Sequence, residues 1–358
     1  MRLQEAGILI GYVLSCLVIS FSPIDAQDDP ILTENLAVIT PDNVNDLTEL
    51  FRLETVQRPD RLEVSHDGTL LAAGFEDGTL GVWELPTMDA RFVQREHTDY
   101  VFALAFSPDD TTLYSGGWDG MVKQWNVLTG EERTVIQMSR RVWDITLSQD
   151  GDLLGVAAGG GEKALQIWNT QTWLVDRIVS EDVQFRNWTV CIEFSPDERL
   201  VATCDSQGVQ VIDSTTNKMN YIVLARYDGD TYRGTSSASH AIFSPDGTLL
   251  AIGIDGGGMW LWDLVSNSEI VAENLTEAPN MFSLEFSPSG SLLAGSETTN
   301  YQTKEYVALW FFNVDTSNEL GLIPAHRGYI NDVDFSPDGK LLISAGRDRT
   351  IRFWGVTQ

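Results

Sequence analysis

The chain has 358 residues, 43% of them hydrophobic, with 52 acidic residues against 23 basic ones and a formal net charge of −29. That length and apolar content suffice for one large domain with a sizeable core. So acidic a chain repels phosphate backbones and anionic lipid surfaces, which argues against nucleic acid as a partner and is most simply a device for solubility.

In chain order, the first segment is apolar. Arg2 precedes a run from Ile8 to Phe21, then Pro23 and the small-residue end Ile24-Asp25-Ala26. This reads as a secretory signal peptide over residues 1–26, and predicts an exported product that is secreted, periplasmic or at the cell surface. The run is short for a membrane span, which needs about 20 residues, and no other stretch is a candidate. Retention as an uncleaved anchor is the alternative; lipid attachment at Cys16 meets its pattern poorly, because the cysteine lies inside the apolar run. Residues 27–46 read as an exposed lead-in, and Leu47 to Glu54 (LTELFRLE) as a strand.

From there one sentence recurs. Its last complete copy is His326 to Trp354, with apolar runs Tyr329–Phe335 and Leu341–Ser344 around the turn Ser336-Pro337-Asp338-Gly339, then Gly346-Arg347-Asp348-Arg349 and Thr350–Trp354. Pro suits the second position of a turn and Gly supplies positive φ, while β-branched and aromatic residues suit a pleated surface. The serines Ser65, Ser107, Ser148, Ser195, Ser244, Ser287 and Ser336 mark seven copies at intervals of 41 to 49 residues, one four-stranded unit each. Trp83, Trp125, Trp262 and Trp354 lie eighteen residues after their serines and Trp168 twenty, while Ile212-Asp213 and Phe312-Asn313 stand where units four and six would carry Trp-Asp. Strand Val101–Phe106 (VFALAF) is apolar without alternation, as expected of a sheet packed on both faces.

On these copies the chain resembles the WD-repeat family of seven-bladed β-propellers over roughly residues 47–358. The resemblance implies an all-β ring of four-stranded antiparallel blades, closed by an N-terminal strand that completes the last blade; Leu47–Glu54 is the candidate. It also implies a role for the recurring polar residues. His97, Ser115, Asp119 and Trp125 in unit two, and His326, Ser344, Asp348 and Trp354 in unit seven, share intervals of 18, 4 and 6. Serine, histidine and aspartate suggest a hydrolytic triad. Two copies, each with its own partners, argue instead for the family's structural tetrad, in which the four side chains satisfy one another.

Metal and cofactor chemistry finds no support. His66 and His240 have no second histidine or cysteine at a ligand spacing. The glycine runs Gly159–Gly161 and Gly256–Gly258 lack the Lys-Ser/Thr of a phosphate loop, and Asp228-Gly229-Asp230 is a thin calcium site. Asn187-Trp188-Thr189 and Asn274-Leu275-Thr276 match a glycosylation sequon that is common by chance. Cys191 and Cys204 flank one turn and can form a cross-strand disulfide or remain two buried thiols.

What remains is one rim. In the resembled family the loops before each first strand and those between the second and third share the face used for partners. Here they present Arg58, Asp60, Tyr100, Phe102, Trp118, Arg141, Trp143, Trp188, Tyr329, Asn331 and Arg347, rich in the types that dominate binding hot spots. Phe102, Trp143 and Phe282 fit upper-core packing equally well. The expectation is a non-catalytic scaffold that binds a protein or peptide through this rim. The alternative is a propeller-type hydrolase, a lactonase or glycan-cleaving enzyme, with its site at the channel mouth; Asp60 is the lone carboxylate among the mouth positions considered.

Overall fold

The structure is a computed structural model and describes residues 35–159, 164–178, 190–205, 208–214, 216, 219–224, 238–254, 258–270, 281–297 and 306–358. The signal segment and Cys16, both sequons, Asp228–Asp230, Trp188 and most of the two glycine runs lie outside the described residues.

Seven antiparallel sheets follow one another along the chain. In blade one the strands run Pro59–Val64, Leu70–Phe75, Thr79–Glu84 and Ala90–Arg95, each paired with the next, and this meander repeats in blades two to six. We refer to the four strands of a blade as a to d, from the channel outward. The fold is an all-β seven-bladed propeller. Its core lies between blades, which is why strands such as Leu70–Phe75 are buried at every position instead of at alternate ones. Leu70, Ala72, Leu80 and Val82 of blade one pack against Val101, Leu104, Phe106 and Trp125 of blade two.

Closure uses the start of the chain. Blade seven takes Ile330–Phe335, Leu342–Gly346 and Thr350–Thr357 from the end of the sequence, and Thr48–Glu54 pairs along Thr350–Gly355 as its outer strand. The seam to blade one is filled by Ile343, Ile351 and Phe353 packed against Leu62, Leu71, Phe75 and Trp83. The expected exposed lead-in needs correction over its second half. Leu36–Ala37 also pairs with Val356–Thr357, and Ile39 and Val44 are buried in the core shared by blades six and seven. These apolar side chains cover the exposed flank of the closing sheet, an area gain that their irregular spacing concealed in the sequence.

The Ser-Pro-Asp-Gly turns form one end of the ring. In blade one the Ser65 hydroxyl donates to Asp67 Oδ1 at 2.8 Å, accepts from Leu70 N at 2.9 Å, and lets the turn reverse through Gly68 at φ +71°. The same pair of bonds recurs at Ser107, Ser148, Ser195, Ser244 and Ser336. Asp110 takes the glycine position in blade two, at φ 54°, and accepts from the backbone of His66 and Asp67 at 2.9 Å, tying blade two to blade one.

Candidate interaction rim and central channel

The end of the ring opposite those turns gathers the expected rim residues. Tyr100 stacks on Trp118 with ring centroids 4.6 Å apart. Phe102 lies 5.3 Å from Trp118 and 5.5 Å, edge-on, from Trp143, and Trp118 and Trp143 are 4.9 Å apart. Guanidiniums flank the rings: Arg141 lies 4.3 Å over Trp118, Arg58 5.3 Å over Tyr100 and Arg61 5.5 Å over Phe102. Such cation–π contacts are worth about 0.5–1 kcal/mol each where exposed. Six of the expected residues, Arg58, Tyr100, Phe102, Trp118, Arg141 and Trp143, are thus one cluster spanning blades one to three.

Blade seven joins through polar contacts. Arg347 lies 4.5 Å over Tyr329, and Asn331 Nδ2 donates to Pro59 O at 2.8 Å and to Asp60 Oδ1 at 3.2 Å. Asp60 in turn pairs with Arg58 at 3.0 Å. Burial pushes the Asp60 carboxyl up to about 6 against the pull of Arg58. Asn331 and the buried Asp60 therefore act as a joint between blades seven and one. Of the rim residues Trp188 is outside the described residues.

Beneath the rim lies the central channel, with a cavity of about 320 Å3. Most of the residues four and two positions before the register serines line it. They include Arg61 and the carboxylates of Glu63, Asp144, Glu193, Glu285, Asp332 and Asp334. Reading only the positions seven and five before each serine missed this layer, although the register marks point to it directly. Arg61 ties it together: its Nε donates to Phe102 O at 3.0 Å, and its other nitrogens approach Asp332 at 3.6 Å and Asp144 at 3.8 Å. The aspartates also bridge neighbouring blades. Leu62 N donates to Asp332 at 2.8 Å, Val64 N to Asp334 at 2.7 Å and Ile192 N to Asp144 at 3.0 Å.

Loss of solvent dominates the ionisation of this layer. It pushes Glu193 up to about 8, Asp334 to about 7 and Asp144 to about 6, and it holds Glu63 and Glu285 well above the usual carboxylate range, with neighbouring acids adding to the effect. The same loss drives His240 down to about 3, so its ring is neutral. Asp60 is accordingly not the lone carboxylate near the mouth. Among the described residues no three acidic, histidine or cysteine side chains converge on a metal position.

The two serine–histidine–aspartate sets sit inside blades, away from the channel. In blade two Ser115 Oγ bonds His97 Nε2 at 2.8 Å and accepts from Trp125 Nε1 at 2.8 Å, and His97 Nδ1 lies 3.0 Å from Asp119. In blade seven the distances are 2.7, 2.9 and 2.9 Å for the equivalent contacts of Ser344, Trp354 and Asp348. A serine that accepts an indole N–H at the bottom of a closed chain of bonds, with both histidines at 0–2% exposure, reaches no substrate. Gly117 and Gly346 complete the fit, since a Cβ on either would overlap the histidine ring. In blade four Cys191 and Cys204 are directly opposite in the ladder, Cα atoms 5.0 Å apart, and are joined as a disulfide.

A model of the family described as WD domain, G-beta repeat matches residues 61–84, 90–126 and 317–355. The chain is a WD-repeat propeller. Its relatives include the transcription factor unc-37 of Caenorhabditis elegans, 24% identical over 75% of this chain and 42% of that protein. They also include the nuclear distribution protein PAC1 of Arthroderma otae, 26% identical over 76% of this chain and 62% of that one. The transcriptional corepressor LEUNIG_HOMOLOG of Arabidopsis thaliana is 23% identical over 81% of this chain and 34% of its own length. The propeller thus spans less than two thirds of each of these relatives. Their names are those of regulators. They also overturn the expectation of export. Transcription and nuclear distribution are work done inside the cell, whereas the expectation rested on Arg2, one apolar run and the small-residue end Ile24-Asp25-Ala26, a local pattern that does not by itself state how a segment is used.

Proposed function

We propose that the chain is a non-catalytic scaffold that binds a partner protein through the rim of blades seven, one, two and three. The observation that carries this is the continuous set Arg58–Tyr100–Trp118–Arg141 with Phe102 and Trp143 beside it. Large rings held by one another lose little conformational freedom on binding, and tryptophan, tyrosine and arginine are the residues that dominate interface energies. Relatives named for transcription, corepression and nuclear distribution support a binding task over a chemical one.

The test is paired capture from a lysate of the source cells, with the wild-type chain and a Tyr100→Ala, Trp118→Ala, Arg141→Ala variant matched in melting temperature. A control variant, Leu128→Ser, changes an exposed residue of a turn in blade two between strands c and d. The expected result is a protein retained by wild type and control and lost from the rim variant. Equal retention by all three would move the interface off this rim.

A further inference from the structure

The rim's arginines fall into two kinds. Arg58 and Arg61 are committed to carboxylates, Arg58 to Asp60 and Glu76 and Arg61 to Asp144 and Asp332. Arg141 and Arg347 are not. Both are exposed, both lie over an aromatic ring at 4.3 and 4.5 Å, and among the described residues no carboxylate comes within ion-pairing distance of either. Arg95, Arg140 and Arg349, at the edges of the same loops, likewise have no carboxylate partner there, although Arg95 donates to Asp77 O at 2.7 Å. In a chain with 52 acids for 23 bases, arginines kept clear of acids are against the odds.

A guanidinium resting on a ring keeps its N–H edge outward and loses little freedom when it meets a carboxylate, which it can grip with two parallel bonds. Beneath them one donor is unsatisfied. Trp118 Nε1 is buried at the centre of the cluster without an acceptor among the described residues. The surface therefore offers guanidinium donors and apolar rings, and Asp60 beside them is already engaged.

We infer that the rim of blades seven, one, two and three receives an acidic segment of its partner protein, with Asp or Glu carboxylates held by Arg141 and Arg347 and apolar side chains against Tyr100, Trp118 and Phe102. This rests on the rim reading proposed above. The overall charge of −29 opposes an acidic partner at long range. That field is screened beyond about 8 Å at physiological salt, so the choice falls to contacts made at the rim. A basic segment, which the overall charge alone would attract, is the competing occupant.

The experiment selects short random peptides displayed on phage against the full chain at physiological salt. Two counter-targets of matched melting temperature are an Arg141→Gln, Arg347→Gln variant and a Tyr100→Ala, Trp118→Ala variant. The enriched peptides are expected to carry Asp and Glu above library composition. A synthetic copy should bind the arginine variant at least about tenfold more weakly, and its own Glu-to-Gln version should lose as much. Neutral or basic peptides that need Tyr100 and Trp118 would overturn the inference and leave the rim reading standing. Acidic peptides indifferent to Arg141 and Arg347 would also overturn it. Peptides indifferent to both variants, or no enrichment, would overturn the inference and the rim reading together.

Discussion

The tetrads and the channel both bury aspartates, and the two places treat them in opposite ways. Burial pushes the Asp348 carboxyl up, but bonds from His326, the backbone of Arg327 and Thr350 outweigh it and hold the group far below the usual carboxylate range. Asp119 in blade two is lowered by its counterparts, His97, Thr98 and Met121. In the channel Asp144 has two backbone donors and a distant Arg61, and Glu193 has one hydroxyl at 3.4 Å, so loss of solvent prevails and both are raised. Depth and donors act together. Asp332 accepts from Leu62 N and Ser283 Oγ at 2.8 Å and lies beside Arg61, yet at full burial its carboxyl is still raised, whereas the half-buried tetrad aspartates are lowered by their donors.

The comparison breaks first at Asp348. Asp348→Ala strips partners from His326, Thr350 and Arg352 at once, and the expected loss is about 3–5 kcal/mol, read from the urea midpoint. A loss below about 1 kcal/mol would mean that the tetrad is dispensable. Next is the disulfide of blade four, which closes a loop between residues 13 apart. Replacing both cysteines with serine should cost about 3 kcal/mol by loop-closure entropy. Melting of the wild type with and without reductant checks it, and an unchanged transition would refute it.

The acids give the comparison its pH dependence. A channel carboxyl with a raised folded pKa makes the folded chain bind more protons than the unfolded one between about pH 4 and its folded value. Its contribution is therefore present at low pH and fades as pH rises toward about 8, the value for Glu193. Asp348 contributes in the other sense, present above about pH 4 and lost only in stronger acid. The melting temperature should fall from pH 5 to pH 8.5, and Glu193→Gln should recover about 1 kcal/mol at the upper end while changing little at the lower. A curve rising over that range would show the channel acids to be ionised and stabilised.

A further contrast separates blades two and four. Ser115→Ala leaves His97 and Trp125 without their shared hydroxyl and should cost about 1–3 kcal/mol. Thr203 occupies the same ladder position in blade four, where Ile212 replaces the tryptophan, and its buried hydroxyl has no partner among the described residues. Thr203→Val should be neutral or stabilising by under about 1 kcal/mol. Equal costs at the two sites, by chemical denaturation, would deny that the hydroxyl's partners matter.

The ring and its blade count were legible because seven register serines impose one frame on the chain, and the tetrads because two blades repeat the same intervals. The rim was legible residue by residue but not as a cluster. That Arg58, Tyr100, Trp118 and Arg141 meet requires three blades to be adjacent in space. The channel acids escaped because Glu63 or Glu193, taken singly, looks like any polar residue in a strand. Only the ring stacks them around one axis, and only the loss of solvent there changes their chemistry. Leu36, Ile39 and Val44 escaped because their apolar positions are irregular and their partner surface, the far edge of blade seven, is made by the other end of the chain.

That last blade also sets a clock. Residues 48–54 pair with residues 350–355, so the closing strand leaves the ribosome long before its partner exists. At about 5–20 residues per second, roughly 15 to 60 s of synthesis separate the two segments. Throughout that interval the first blades can form while the ring stays open and its edge unpaired, a template for pairing with a neighbouring chain until the final strand arrives.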